Sequence, residues 1–123
     1  MNPEAVVRQY LDAMERRDLA TAGSFLAPGF FMVFPGNRRF DSLEQLVASA
    51  KGRYRSANKV YEKTEVSGSS VYCFGTLFGE LRDGTPYSGI RFIDRFTVKD
   101  GRIVDQMVWN DMAEVLGAKL KPL

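Results

Sequence analysis

Histidine is missing from all 123 residues, and cysteine occurs once, as Cys73. The first absence excludes an imidazole base, a Ser-His or Cys-His nucleophile and a histidine-ligated metal. The second excludes an internal disulfide and fits a reducing compartment, so the expected location is cytoplasmic. No glycine-rich phosphate loop or dinucleotide fingerprint is present. No apolar run approaches bilayer length, and the opening residues 1–8 lack the greasy stretch of a secretory signal. The net charge of +2 is too small, and the basic residues too scattered, to argue for nucleic acid. The expectation is a protein with no metal, no organic cofactor, no nucleic-acid partner and no membrane partner.

The residues present are those of an ordinary globular chain, 45% hydrophobic and 26% charged. At this length they form a single domain, 1–123. Asn2-Pro3 suits a helix start, and Val6, Val7, Tyr10, Leu11 and Met14 recur at helical spacing. Asp18 reads as the cap of a short second helix that Pro28-Gly29 ends. Residues 30–34 form a short apolar strand closed by Pro35-Gly36. Overlapping capping boxes (Asp41 with Glu44, Ser42 with Gln45) open a third helix. Residues 59–66 alternate weakly, and long strands follow at 70–82, 85–98 and 102–110, separated by the turn signals Asp83-Gly84 and Asp100-Gly101. From Asp111 the chain is weakly helical or a tail. Helices followed by a strand meander predict an α+β domain, a strongly curved, mostly antiparallel sheet wrapped around N-terminal helices as a cone.

Counting from two-residue turns sets a register. Cys73 falls opposite Asp94, Gly75 opposite Phe92 and Leu77 opposite Ile90, while Met107 falls beside Asp94 and Trp109 beside Phe92. One face then carries Cys73, Gly75, Leu77, Gly79, Ile90, Phe92, Asp94, Phe96, Ile103, Met107 and Trp109. Asp94 is the acid in the middle of this apolar face, with Asp105 and Asp111 as weaker acids toward the strand ends. A carboxylate among apolar neighbours loses solvation, so it is paired, protonated or awaiting a ligand. Gly75 and Gly79 either let the sheet bend or leave room for a ligand. The opposite face carries Tyr72, Phe74, Thr76, Phe78, Tyr87, Arg91, Ile93 and Arg95, which is aromatic enough to predict a partner, most simply a second copy through Tyr72, Phe74, Phe78, Arg91 and Arg95.

The segment 96–104, Phe-Thr-Val-Lys-Asp-Gly-Arg-Ile-Val, followed by a strand ending near Asp111, resembles the closing hairpin of nuclear-transport-factor-2-like domains. That superfamily includes ketosteroid isomerase, SnoaL-type polyketide cyclases, limonene epoxide hydrolase and scytalone dehydratase. The resemblance covers nearly the whole chain and implies the cystatin-like cone. By resemblance to ketosteroid isomerase, Asp94 falls at the oxyanion-hole acid and Tyr10 at the oxyanion-hole tyrosine. The family's base position precedes a proline; here Phe34 precedes Pro35, and phenylalanine moves no proton.

The expected function is a binder of a small lipophilic molecule, in a pocket lined by Phe34, Met32, Leu77, Phe92, Met107 and Trp109. It is either an isomerase- or cyclase-like enzyme, with Asp94 and Tyr10 as catalytic oxyanion donors and an unidentified base, or a non-catalytic homodimeric module that binds a ligand or another protein.

Overall fold

Local capping chemistry sets where the helices begin. In the computed structural model, which describes residues 1–120, Asn2 Oδ1 accepts from the Ala5 N–H at 2.8 Å and opens α1 (Pro3–Glu15). Asp18 accepts from the Thr21 N–H and opens α2 (Leu19–Gly23). Ser42 caps α3 (Leu43–Arg53) through the Gln45 N–H, and Gln45 Oε1 reaches back to the Asp41 N–H. The alternative Asp41–Glu44 box is not used: Asp41 is bridged to Arg39 at 2.9 Å.

The strands are β1 (Leu26–Phe34), β2 (Arg38–Phe40), β3 (Tyr54–Ser67), β4 (Ser70–Leu81), β5 (Pro86–Lys99) and β6 (Arg102–Asn110), with α4 (Met112–Leu116) and a 3₁₀ turn at Gly117–Lys119 behind them. They make one six-stranded sheet in the order β2-β1-β6-β5-β4-β3. The β1–β6 pair is parallel and the other pairs are antiparallel. The α+β curved sheet packed against N-terminal helices is therefore the architecture. The final residues, 121–123, included in the expected domain and tail, lie outside the described residues. Among the described residues no helix is long and apolar enough to cross a membrane.

Two boundaries differ from the sequence expectation. Pro28-Gly29 does not stop α2; it lies within β1, where the pairing with β6 slips between Leu26 and Phe31. β3 begins at Tyr54, directly after α3, rather than near residue 59.

Bulges then decide which side chains face inward. The turn at Asp100-Gly101 is the expected two-residue hairpin, with Lys99 opposite Arg102 and positive φ at both central residues. One residue beyond Ile103 the pairing slips, because Val104 is an extra residue in β6. Val108 therefore faces Asp94, and Asn110 faces Phe92. The expected inward placement of Met107 and Trp109 is overturned: they pair with Arg95 and Ile93 on the back of the sheet, where Trp109 is 53% exposed. Asp105 moves to the back for the same reason, opposite Thr97.

The β4–β5 hairpin behaves differently. Leu81 N–H bonds to Thr85 C=O, so the loop spans three residues, and a slip between Leu77 and Gly79 offsets it. Gly89, at φ +66°, provides the left-handed residue this bulge requires. Beyond it the expected pairs Leu77–Ile90, Gly75–Phe92 and Cys73–Asp94 all form. Before it the parity is reversed, which corrects Tyr87. Its ring is buried against Tyr54, and its hydroxyl donates to Ser56 C=O at 3.0 Å.

The inner side holds two apolar clusters. One joins α1, α2 and β1 to Val71, Cys73, Phe96, Val98 and Ile103. The other gathers Leu77, Leu81, Tyr87, Ile90, Phe92 and Met112, with Leu116 and Leu120 packed on it. Between them the sheet bends at its glycines. A Cβ on Gly75 would lie 1.9 Å from Val60 O, and one on Gly79 would lie 2.2 Å from Ser56 O. The space over these glycines is filled by the backbone of β3, so they serve curvature and not ligand room. Gly75→Ala is expected to destabilise the domain by about 1–3 kcal/mol or more through overpacking against rigid backbone. Gly23→Ala, with open space around the added methyl, is expected to leave stability unchanged or slightly raised. Urea denaturation midpoints check both.

Candidate functional site

Asp94 lies in β5 between Phe92 of one cluster and Phe96 of the other, with no exposed surface. Its Oδ2 accepts from the Lys59 ammonium at 2.6 Å, and its Oδ1 has no hydrogen-bond partner among the described residues. Lys59 comes from β3, the sheet edge, and β4 lies between it and Asp94. Its side chain therefore crosses the inner face of β4 from its own pairing partner, Leu77, toward Asp94 opposite Cys73. Gly75 lies between those two positions. On its two sides are Tyr61 of β3 and Phe92 of β5, whose rings meet edge-to-face with centroids 5.6 Å apart. The Lys59 ammonium stands 5.1 Å from the Phe92 ring centroid and 6.0 Å from that of Tyr61.

Lys59 keeps 30% of its side chain exposed while Asp94 keeps none, so a sealed carboxylate holds an inward-turned ammonium whose stem reaches the surface. Burial works against the Lys59 charge, but Asp94 beside it, then Tyr61 and the hydrogen bond to Asp94, hold its pKa above the ordinary lysine value. Tyr10, on the inner stripe of α1, is buried and packs edge-on against Phe96 at 5.9 Å. Burial raises its phenol, Lys59 opposes this and Asp94 adds to it, so all three groups share one electrostatic environment. Tyr61 is pushed up to about 12 by burial, against the pull of Lys59. The Cys73 thiol is pushed up to about 11, by burial and then by Asp94. It is a neutral core group and not an active nucleophile.

The structure thus brings Asp94, Tyr10 and Phe92 together, with Leu77 beside Lys59 in the ladder. Met32 is fully buried in the first cluster, and Phe34 is half-buried with its ring against Phe40 of β2, centroids 5.4 Å apart. Met107 and Trp109 are not part of the site. Asp111, one of the reserve acids, stands before α4 and is bridged to Arg91 at 2.6 Å. Two open surface depressions, of about 570 and 580 Å³, flank β1, β2 and α3, and neither is lined by Lys59, Asp94 or Tyr10. Among the described residues no three His, Cys, Asp or Glu side chains cluster to hold a metal.

Lys59 is the residue the sequence reading missed. A plain two-residue turn at Gly68-Ser69 would set it opposite Phe78, on the back of the sheet. Glu62 is an extra residue in β3, and this bulge moves Lys59 opposite Leu77 and turns it inward. The one available signal was Tyr61, an aromatic two residues away in a weakly alternating strand.

With this geometry fixed, the comparisons are informative. The model of the SnoaL-like domain matches residues 7–106. The chain belongs to the SnoaL-like family. Its fold is that of NTF2-like proteins: one from Burkholderia thailandensis superposes with a TM-score of 0.84 at 20% identity, covering 99% of both chains. TerC, co-crystallised with polyporic acid, superposes at 0.82 and 16% identity over 95% of this chain and 97% of its own. A candidate SnoaL-like polyketide cyclase from a Jannaschia species superposes at 0.70 and 21% identity over 94% of each chain. No curated protein sequence matches the chain. These likenesses establish the fold of this SnoaL-like domain.

The ion pair sets an alkaline limit. A lysine whose folded pKa is raised stabilises fully below its unfolded value, near 10.4, and loses that contribution as pH rises through the folded value. Tyr61 and Tyr10, raised likewise, act in the same direction. Stability is expected to hold to about pH 10 and fall above it. In Lys59→Met the fall at about pH 11 should be shallower by roughly one proton. At neutral pH the same variant should lose about 3–5 kcal/mol, because it leaves a buried carboxylate unpaired. Denaturant titrations across pH measure both effects.

Proposed function

We propose that this SnoaL-like domain binds a small lipophilic molecule bearing a carbonyl or enol beside the partly exposed Lys59 side chain, and moves a proton on it as an isomerase- or cyclase-type enzyme without metal or organic cofactor. The observation that carries this reading is the buried Asp94 paired with a partly exposed Lys59, at the seam of two apolar clusters. An ion pair in such surroundings is costly to desolvate and is kept where charge is used. Lys59 donates a hydrogen bond to the oxygen on which charge develops, with Tyr10 as a second donor behind it. Asp94 is the base, accepting a proton from the carbon beside the carbonyl; the site then returns it to another carbon or lets the enolate close a carbon–carbon bond. This reassigns Asp94 from oxyanion donor to proton acceptor, since its partner is a cation. It also supplies a base in a chain whose family base position is Phe34. TerC's crystallisation with polyporic acid and the polyketide-cyclase assignment of the Jannaschia protein support this class of ligand.

Calorimetric titration with planar phenols tests the site. Lys59→Met and Tyr10→Phe should each weaken binding by about tenfold or more, equivalent to roughly 1.4 kcal/mol. Binding indifferent to both substitutions would remove the site.

The expected alternative, a homodimeric association module, draws on the back of the sheet. We propose that a second copy docks there, whether or not the pocket is catalytic. Phe78, Ile93 and Trp109 are exposed on that face, beside Tyr72, Phe74, Met107, Arg91 and Arg95. Arg95 Nε and Asp105 Oδ1, buried on the same side, lack hydrogen-bond partners among the described residues. A face with both signs of charge around an apolar centre is self-complementary, as a two-fold interface requires. Sedimentation at micromolar concentration should give twice the 13.8 kDa chain mass. Phe78→Glu with Trp109→Glu should return it to a single chain, and a wild-type monomer would refute the interface.

A further inference from the structure

Asp94 cannot touch a substrate in the arrangement seen. It has no exposed surface, and the ammonium of Lys59 covers its Oδ2. From the geometry we infer that Lys59 is a ligand-operated latch: a ligand carrying an acidic oxygen (enolate, phenolate or carboxylate) draws the ammonium off Asp94 and thereby turns the carboxylate from a counter-ion into a base. This deepens the proposed function and rests on its ligand site.

Four features support the latch. Lys59 holds the carboxylate through one hydrogen bond among the described residues, and its side chain, unlike that of Asp94, is partly exposed, so it is the partner with a path toward the surface. It comes from the sheet edge, three residues before the Glu62 bulge, where the ladder is already interrupted. The perpendicular rings of Phe92 and Tyr61 stand beside the ammonium, and Tyr61, the exposed one of the two, offers an aromatic edge against which a planar ligand can pack with its oxygen toward the charge. Asp94 Oδ1 has no partner among the described residues. Nothing described there replaces the lysine once it shifts, and an unpaired buried carboxylate gains proton affinity.

The groups facing the pair come from four elements. They are Tyr61 beside Lys59 on β3, Cys73 on β4, Asp94 itself on β5 and Tyr10 on α1; Glu15 acts on Tyr61 and Arg8 on Cys73 from farther along α1. Tyr10, Tyr61 and Cys73 stay protonated through neutral pH, so Lys59 is the cation placed to answer a ligand oxyanion. A neutral lipophile packs against the same aromatic edge without opening the latch.

The test pairs two probes of one shape, 2-naphthoate and 2-naphthamide, on the wild-type protein. Naphthoate should bind about tenfold tighter or better. Saturating naphthoate should also raise the Asp94 carboxyl titration, followed by carbon-13 NMR, by about one pH unit or more, while naphthamide leaves it in place. Lys59→Met should erase the preference for the anion, and Lys59→Arg should keep it. Equal binding of the two probes with an unmoved Asp94 titration would overturn the latch and leave the ligand site standing. Binding of neither probe would overturn both. The wild-type comparison decides the matter even if Lys59→Met does not fold.

Discussion

A carboxylate with no exposed surface is tolerated in the middle of this sheet because one lysine reaches it across an intervening strand. Remove the lysine, and Asp94 is a bare charge between two phenylalanines; remove the carboxylate, and Lys59 can still turn to water. The dependence is therefore one-sided. It links the edge strand β3 to the centre of the sheet, and it stands where two apolar clusters meet without merging. The curvature that makes the link possible comes from Gly75, over which the β3 backbone, Tyr61 and Phe92 all close.

Under the proposed function, the same interaction would separate ligand recognition from proton transfer. In the proposed function the partly exposed lysine carries the charge that meets a ligand, and the sealed aspartate carries the capacity to accept a proton. Tyr10 stands behind both, kept neutral by burial. In a chain without histidine, with its lone thiol held neutral, this lysine and aspartate are the coupled pair on which the proposed acid–base chemistry rests. The SnoaL-like domain supplies the curved sheet on which this pair is set, and a fold by itself does not name a chemistry.

Bulges place the functional groups as much as residue identity does. Glu62 turns Lys59 inward, Val104 turns Met107 and Trp109 outward, and the slip near Gly89 buries Tyr87 while restoring the Cys73–Asp94 pairing. Each extra residue reverses the side-chain parity beyond it, because a strand alternates with period two. Trp109 thereby leaves the core for a back face that already carries Phe78 and Ile93. One inserted residue thus both sets Val108 in place of Met107 beside Asp94 and adds an aromatic to the outer surface.

What the amino-acid order determined by itself was local. The caps at Asn2, Asp18 and Ser42, the turn at Asp100-Gly101, the strand alternation that makes Asp94 an inward acid, and the helical stripe that brings Tyr10 inside all depend on residues a few positions apart. Those signals were enough for the α+β class and for half of the site. Tertiary structure decided the other half: Lys59, thirty-five positions from Asp94, becomes its partner through a bulge and a bent glycine strand. A bulge leaves little mark on composition or periodicity, since its free energy comes from the packing of neighbouring strands and not from the residues that form it.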